Sequence, residues 1–408
     1  MNRKWILPFA AVLIAILLSG CWSRKELNEL AIISAVGLDM DEEGKYVKTL
    51  QIINPSEAAG GLQGGGDGQG PSISIFTAKG DTVLDAHYNV SNKVPRRLYH
   101  GHTNLLVISE KLARDKGIQT MLDAWERDPE IRTTMSVIIT HDTKAADLLR
   151  TLTLIDKIPA ERMTDIIEVA EELKGQYMKV TIKDIIENFN SAGRETVISG
   201  FTLKGDAKKG GKIENIEETE PKTFILADSL GIFKGGKLID WYKGDTARGV
   251  VWILDKVKKT DIELEWKGKN NSISCQIVRQ KTKVTANTKN GRPSIAIHVN
   301  ALGDVREVTT EINLNEQKEI EKIEKLLEKE IQAQLENTVK RTQKNKTDIL
   351  GFGEVLRISD VQTWNKMKHN WNENEFSKLD VRVQVDAKIR GTGLRNKSYI
   401  SDMKDKTQ

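Results

Sequence analysis

The chain has 408 residues, of which 38% are hydrophobic and 29% are charged, and its formal net charge is +4. This composition is that of a folded protein with room for two or three hydrophobic cores, and it excludes a largely disordered chain. The charge is too nearly balanced to indicate a nucleic-acid-binding protein. The function must therefore be sought in individual segments.

Residues 1–20 have the plan of a secretory signal peptide. They begin with two basic residues, continue as an apolar run to Leu18 and end in small residues before Cys21. This run is shorter than the about 20 apolar residues that a membrane-spanning helix needs. Leu18-Ser19-Gly20-Cys21 matches a lipobox, which directs cleavage between Gly20 and Cys21 and places diacylglycerol on the Cys21 thiol. We therefore expect a mature chain that starts at Cys21, is anchored by lipid and carries a formal charge of +2.

Cys275 is the second of the two cysteines, so no intramolecular disulfide is available once Cys21 carries lipid. It alternates with Ile273 and Ile277 on one side of a predicted strand. That pattern favours a buried, small hydrophobic side chain over a reactive thiol.

The first half is predicted to mix strands and helices. Residues 31–39 and 46–53 indicate a hairpin, because an Asp-Glu-Glu-Gly turn separates two strand-like runs. The glycine-rich residues 60–71 lack the Gly-Lys-Ser/Thr of a phosphate-binding loop, so we interpret them as a flexible surface loop. The remaining predicted elements are strands at 72–78, 105–108 and 135–139, and helices at 81–90, 109–125, 145–152, 164–173 and 182–189. Because no regular strand–helix–strand repeat is evident, the predicted class is α+β.

The secondary structure that the sequence predicts changes near Gly193. Short strands with Lys/Gly turns follow, and then strands are predicted at 273–277, 283–287, 294–301 and 381–389. A long helix is predicted at 315–344, because Ile and Leu recur every three or four residues along it. We expect this stripe to lie on a sheet of its own domain, since strands flank it on both sides; a coiled-coil partner helix is the alternative.

These patterns predict several domains. The signal peptide is 1–20, an N-terminal α+β domain is 21–193, a C-terminal α+β domain is 194–395 and a polar tail is 396–408. Within the C-terminal domain, 194–268 is a candidate middle subdomain. The rest should be an antiparallel-rich sheet with the long helix lying on it.

No catalytic or metal site and no cofactor is predicted. His100 and His102 are the only histidine pair in the sequence. No third His, Cys or acidic residue lies at a spacing typical of metal ligands, which favours a structural role. A charged cluster includes Asp123 and Arg127, and surface salt bridges explain it more simply than paired catalytic carboxylates. The chain has no Gly-x-Ser-x-Gly, His-Glu-x-x-His or dinucleotide motif.

Several segments, in this order and spacing, resemble the Ger(x)C family, and together they cover nearly the whole chain. The most typical is Lys346-Thr347-Asp348-Ile349-Leu350-Gly351-Phe352-Gly353 after the long helix. The glycine-rich loop departs from the family pattern, at a place where the family tolerates changes of length. The other matching segments are 20–27, 31–39, 51–55, 102–112, 127–132, Trp371 and 390–393.

The resemblance implies a non-enzymatic lipoprotein subunit of a nutrient germinant receptor in endospore-forming bacteria. Such subunits lie at the outer face of the inner spore membrane beside two integral-membrane subunits. The resemblance also implies a last sheet that wraps around a long helix. The alternative is the solute-binding lipoprotein of a transporter, which normally has two doubly wound lobes. The strand-rich 197–301 segment and the single dominant helix disfavour that alternative.

Overall fold

The computed structural model describes residues 29–59, 70–127 and 130–393. The predicted signal peptide, Gly20, Cys21, most of the glycine-rich loop and the 396–408 tail lie outside these residues. Within the described part of the chain, no helix is both long and apolar enough to cross a membrane.

The larger sheet contains nine strands among the described residues, in the order β3-β2-β1-β5-β6-β7-β8-β9, with β4 beside β1. Their bounds are β1 Leu30–Met40, β2 Tyr46–Ile53, β3 Ile73–Gly80, β4 Arg97–Tyr99, β5 Leu105–Ile108, β6 Ser136–Thr140, β7 Val197–Lys204, β8 Phe224–Lys234 and β9 Lys237–Tyr242. The predicted hairpin of β1 and β2 is confirmed. The adjacent strands β1, β5, β6 and β7 are parallel, which sequence analysis missed.

Helices cover both faces of this sheet. Their bounds are α1 Pro55–Ala59, α2 Val83–Ser91, α3 Glu110–Asp115, α4 Gln119–Glu126, α5 Ala145–Arg150, α6 Pro159–Leu173, α7 Ile182–Asn190, α8 Ala207–Gly210 and α9 Glu214–Glu217. On β5, Leu106 and Ile108 belong to one core and Leu105 and Val107 to the other. All four are buried, because a strand covered on both faces presents no side chain to water.

The second sheet has the order β10-β11-β12-β13, and only its last pair is parallel. Its strands are β10 Thr260–Trp266, β11 Lys269–Lys289, β12 Arg292–Val308 and β13 Asp380–Gly391. The helices of this half are α10 Gly244–Ile253, α11 Gln317–Lys344, α12 Phe352–Ser359 and α13 Val361–Met367, followed by short helical turns from Lys368 to Lys378. Two of the predicted strands, 273–277 and 283–287, are parts of the single strand β11.

The long helix α11 is part of the core, as predicted. Its stripe of Ile323, Leu327, Ile331, Leu335 and Val339 is buried. This stripe belongs to the same core as Leu106 and Ile108 of β5. One hydrophobic core therefore extends from the larger sheet into the second half, and the mixed α+β class is confirmed.

The predicted boundary near Gly193 does not separate the two sheets. Strands β7 to β9 follow Gly193 but belong to the larger sheet, because β7 pairs with β6 at Ile139 and Thr140. The change in sequence pattern near Gly193 instead coincides with the change from parallel to antiparallel strands within one sheet. The candidate subdomain 194–268 is thus shared between the sheets, and the chain changes sheet between β9 and β10. The bounds 21–193 and 194–395 stay predictions about folding units.

Candidate functional site

Asp348, in the segment that carries the resemblance after α11, lies fully buried where the two halves meet. Its carboxylate accepts hydrogen bonds from the backbone N–H groups of Phe352 (3.1 Å) and Gly353 (2.7 Å). It also accepts one from the indole N–H of Trp371, at 2.8 Å. The carboxylate therefore satisfies free N–H groups of the first turn of α12 and fixes Trp371 against it. Burial raises the pKa of Asp348 to about 6, although these hydrogen bonds oppose the shift.

The backbone around Asp348 ties the second half to the larger sheet. The N–H of Glu195, just before β7, donates to the carbonyl of Asp348 at 2.8 Å. The carboxylate of Glu195 accepts from the N–H of Gly235 (3.1 Å) and from the amide of Asn372 (2.9 Å). The Asn372 amide oxygen in turn accepts from the N–H of Asp348 at 2.9 Å. The Thr347 hydroxyl completes the link by donating to a carbonyl of β8.

Two glycines allow this close approach. A Cβ atom at Gly193 would lie 2.5 Å from the backbone of both Gly353 and Glu354. A Cβ at Gly353 would lie 2.7 Å from the Cα of Gly193 and 2.8 Å from the Trp371 indole nitrogen. Cβ atoms in proteins essentially never lie within 3.0 Å of such atoms, so both positions need glycine. We call the set Gly193, Glu195, Asp348, Gly353, Trp371 and Asn372 the junction.

A second candidate region lies at the carboxyl ends of the parallel strands. Helix α3, which follows β5, packs into the larger core, whereas α5, which follows β6, packs into the other core. The connections thus leave the sheet on opposite faces, and a crevice at such a point is where open α/β sheets bind ligands. A cavity of ≈ 580 Å³ lies here, and its charged lining includes Asp39, Asp41, Lys111, Asp142, Lys144 and Asp147.

Asp39 shows that part of this charge is structural. It is only 5% exposed, and its two oxygens accept the N–H groups of Ala145 (2.9 Å) and Ala146 (3.0 Å) at the start of α5. Burial raises the pKa of Asp39, with the two backbone hydrogen bonds acting against that rise. Asp41 is paired with Lys79 at 2.7 Å. The two carboxylates therefore already have partners within the fold.

His141, directly after β6, lies at the centre of a neighbouring charged cluster. Its ring packs on Trp241 with centroids 4.5 Å apart, and its Nδ1 hydrogen-bonds to Asp228. Its Nε2 lies 3.6 Å from a carboxylate oxygen of Asp142. Together with Glu110, His141 and Asp142 offer three ligand atoms within 4.8 Å of one another.

Glu110 already has partners in this cluster. Its Oε1 accepts from the Trp241 indole at 2.9 Å and lies 2.7 Å from the Arg114 guanidinium. Burial favours the neutral form, but the hydrogen bonds from Trp241 and Arg114 outweigh it and hold the pKa of Glu110 below its usual value. The cluster is thus a network of ion pairs that links β6, β8, β9 and α3.

Sequence analysis missed this network because Glu110, His141 and Asp228 are separated by 31 and 87 positions. No spacing rule connects residues brought together only by strand order. The same holds for the junction, where Glu195 and Asn372 are 177 positions apart. The segment 346–353 stood out as typical of a family, but its pattern gave no indication of what Asp348 contacts.

The other residues considered in the sequence have simple roles. His100 packs against His87 at 5.4 Å and His102 against Tyr99 at 5.7 Å, so the two histidines have different aromatic partners. Asp123 and Arg127 form an exposed ion pair at 3.0 Å, as predicted.

Cys275 is buried, as predicted, and burial raises the pKa of its thiol to about 12. The thiol is therefore protonated at neutral pH and unreactive. Cys21 and Gly20, the predicted lipidation and cleavage residues, lie outside the described residues.

Comparison with known proteins covers nearly the whole chain. A family model described as "Spore germination protein N-terminal domain" matches residues 23–203, and one described as "Spore germination B3/ GerAC like, C-terminal" matches residues 228–393. Spore germination protein KC of Bacillus subtilis (strain 168) is 39% identical over 406 residues, which cover 99% of this chain and 100% of that protein. Putative spore germination protein YfkR of the same strain is 27% identical, with 97% and 98% covered.

A solved structure shares the fold. The structure described as "Crystal Structure of the GerBC protein" aligns with a TM-score of 0.55 at 21% identity, covering 87% of this chain and 96% of that chain. The chain therefore belongs to the Ger(x)C family, the family of the C subunits of spore germinant receptors.

Proposed function

We propose that this chain is a non-enzymatic lipoprotein subunit of a nutrient germinant receptor. It is anchored at the outer face of the inner spore membrane and works through contacts with two integral-membrane receptor subunits. The observation that carries the proposal is the 39% identity to Spore germination protein KC across essentially the full length of both chains. Identity over the whole length favours a shared role for the whole molecule, not for one module alone.

The anchor is the lipid on Cys21. The support is the order of a basic start, an apolar run and Leu18-Ser19-Gly20-Cys21 in the sequence. Cys21→Ala should leave the chain unprocessed or in the soluble fraction and impair germination through this receptor. A Cys21→Ala variant that still fractionates with membranes as processed protein would refute the anchor.

The non-enzymatic role is supported by the way in which charged groups are used in the described residues. Glu110 is held by Arg114 and Trp241, Asp39 by the start of α5, and Asp348 by α12 and Trp371. Each carboxylate thus serves the packing of elements around it.

Co-purification tests the assembly. The full chain, tagged after residue 408 and expressed at its own locus, is solubilised with mild detergent from spore membranes and recovered. We expect two integral-membrane receptor subunits to be recovered with it. Recovery of a transporter permease in their place would support the solute-binding alternative and overturn the proposal.

A further inference from the structure

We propose that the edge of the larger sheet at which β1 begins faces the membrane, and that Arg96 and Arg97 bind anionic phospholipid headgroups there. This inference rests on the proposed lipid anchor at Cys21. It adds an orientation and a contact surface, neither of which the anchor specifies.

The length of the tether limits the orientation. Nine residue steps separate Cys21 from Leu30, the first residue of β1. A fully extended chain spans at most about 3.6 Å per residue, so Leu30 lies within roughly 30 Å of the lipid-bearing sulfur. Strand β1 has 11 residues and extends about 35 Å further. The tether thus keeps the end of β1 at Leu30 within reach of the bilayer, and in the proposed orientation the end at Met40 is the remote one.

The two arginines lie beside this entry point. Strand β4 runs parallel to β1 with Arg97 opposite Leu30 and Tyr99 opposite Ile32. Neighbouring strands are about 4.8 Å apart, so Arg97 is adjacent to the residue where the tether joins the sheet. Arg96 precedes Arg97 in a parallel strand and therefore lies farther out on the same side. Both arginines are exposed.

The charges of these arginines are open to a ligand. Among the described residues, neither Arg96 nor Arg97 has a carboxylate within 4.0 Å, although the chain carries 58 acidic residues. A guanidinium forms two parallel hydrogen bonds with a phosphate, which makes arginine well suited to phospholipid headgroups. Basic residues near an anionic leaflet are attracted to its surface.

The charged groups of the turn at the opposite edge are paired. This turn, from β1 to β2, carries Asp41, Glu42 and Glu43. Lys79 pairs with Asp41 and Glu43, and Lys111 pairs with Glu42. The turn therefore offers no excess positive charge to an anionic leaflet, in contrast to Arg96 and Arg97.

The test uses the full lipidated chain reconstituted through its own lipid into vesicles. Because Cys275 is buried and Cys21 carries the lipid, a cysteine introduced as Glu43→Cys, or as Pro95→Cys at the exposed position directly before Arg96, takes a single fluorescent label. A headgroup-attached quencher reports how close the label lies to the bilayer. In vesicles containing phosphatidylglycerol we expect strong quenching at position 95 and weak quenching at position 43, with loss of the difference in 1 M salt.

Variants distinguish the proposed headgroup contact of Arg96 and Arg97 from the lipid anchor at Cys21. Arg96→Ala/Arg97→Ala should abolish the extra quenching at position 95 that phosphatidylglycerol causes relative to phosphatidylcholine alone. Lys208→Ala/Lys209→Ala removes the same charge from exposed positions in α8, after β7 at the remote edge, and should leave the quenching unchanged. Equal quenching at both label sites, or an unchanged response of the arginine variant, overturns the inference while the anchor stands. A wild-type chain that does not stay on any vesicle refutes the anchor and the inference together.

Discussion

Glu324 of α11 accepts a hydrogen bond from the backbone N–H of Ile389 in β13, with 2.9 Å between Oε1 and N. Its other oxygen lies 2.8 Å from the ammonium of Lys388. One turn further along the helix, Glu328 accepts the N–H of Ala387 at 3.1 Å. Glutamates of the long helix thus accept hydrogen bonds from N–H groups on the outer edge of β13, where no neighbouring strand pairs with them. An edge strand with open N–H groups is a template for aggregation, and here the helix covers it.

Loss of the Glu324 carboxylate should destabilise the protein. Glu324→Ala leaves the N–H of Ile389 without its partner in a partly buried place, which costs roughly 1–3 kcal/mol. Glu321→Ala, three residues earlier on the exposed side of the same helix, should change the free energy of unfolding by less than about 1 kcal/mol. Urea unfolding of the two variants measures the difference. Equal effects would show that the contact with β13 contributes nothing specific.

Truncation of the buried stripe of α11 should destabilise the protein further. Ile323 and Leu327 are 0% exposed, and truncating such a side chain to Ala costs about 2–5 kcal/mol. Ile323→Ala and Leu327→Ala should each lower the melting temperature, whereas the exposed control Lys325→Ala should change it little. If the two core variants melt like the wild type but fail to assemble with the receptor, the stripe is a binding surface and its place in the core is refuted.

The stability of the junction should depend on pH. Asp348 has a pKa of about 6 in the folded protein, against an ordinary value of 3.8. Between these values the folded chain binds a proton that the unfolded chain releases, so the contribution of Asp348 to stability falls as pH rises through this window. The two-unit shift corresponds to a loss of roughly 3 kcal/mol by about pH 7.

Asp348→Asn provides the comparison, because its side chain does not titrate. From pH 4 to pH 7, the free energy of unfolding of the wild type should fall relative to that of Asp348→Asn. A difference that instead grows with pH would mean that the hydrogen bonds from Phe352, Gly353 and Trp371 outweigh burial and hold the pKa below 3.8.

A methyl group at Gly193 should disrupt the junction. In Gly193→Ala the new Cβ would lie 2.5 Å from backbone atoms of Gly353 and Glu354, and backbone does not yield as a flexible side chain does. We expect a large fall in melting temperature, as for overpacked cores, which lose about 1–3 kcal/mol. Ala192→Ser, at the exposed neighbouring position, is the control. Wild-type stability of Gly193→Ala would show that the halves are less closely packed than the structure indicates.

Local patterns in the sequence predicted much of this fold. The hairpin of β1 and β2 and the stripe of α11 follow from alternation and from helical spacing, which depend only on near neighbours. The parallel order of β1, β5, β6 and β7 was missed, because pairing between distant strands leaves no short-range signal.

Polar contacts were harder to predict than apolar ones. In α11, Glu321 is exposed, whereas Glu324 is 7% exposed and reaches β13. Its residue type and spacing do not differ from those of Glu321. Which glutamate is buried depends on where β13 returns, some 60 residues later, and this information is absent from the helix itself.

The contact between Glu324 and Ile389 also has consequences for how the chain is completed. Strand β13 pairs with β12 across about 70 intervening residues, so this pairing is a non-local step for which we expect slow formation. A chain that ends before Asp380 would expose the edge of β12 that β13 normally pairs with. The Glu324 carboxylate would also lose the N–H group of Ile389 that it binds. Such a product should be less stable than the full chain and more readily cleaved by proteases. The last strand is thus needed to cover β12 and to pair the Glu324 carboxylate.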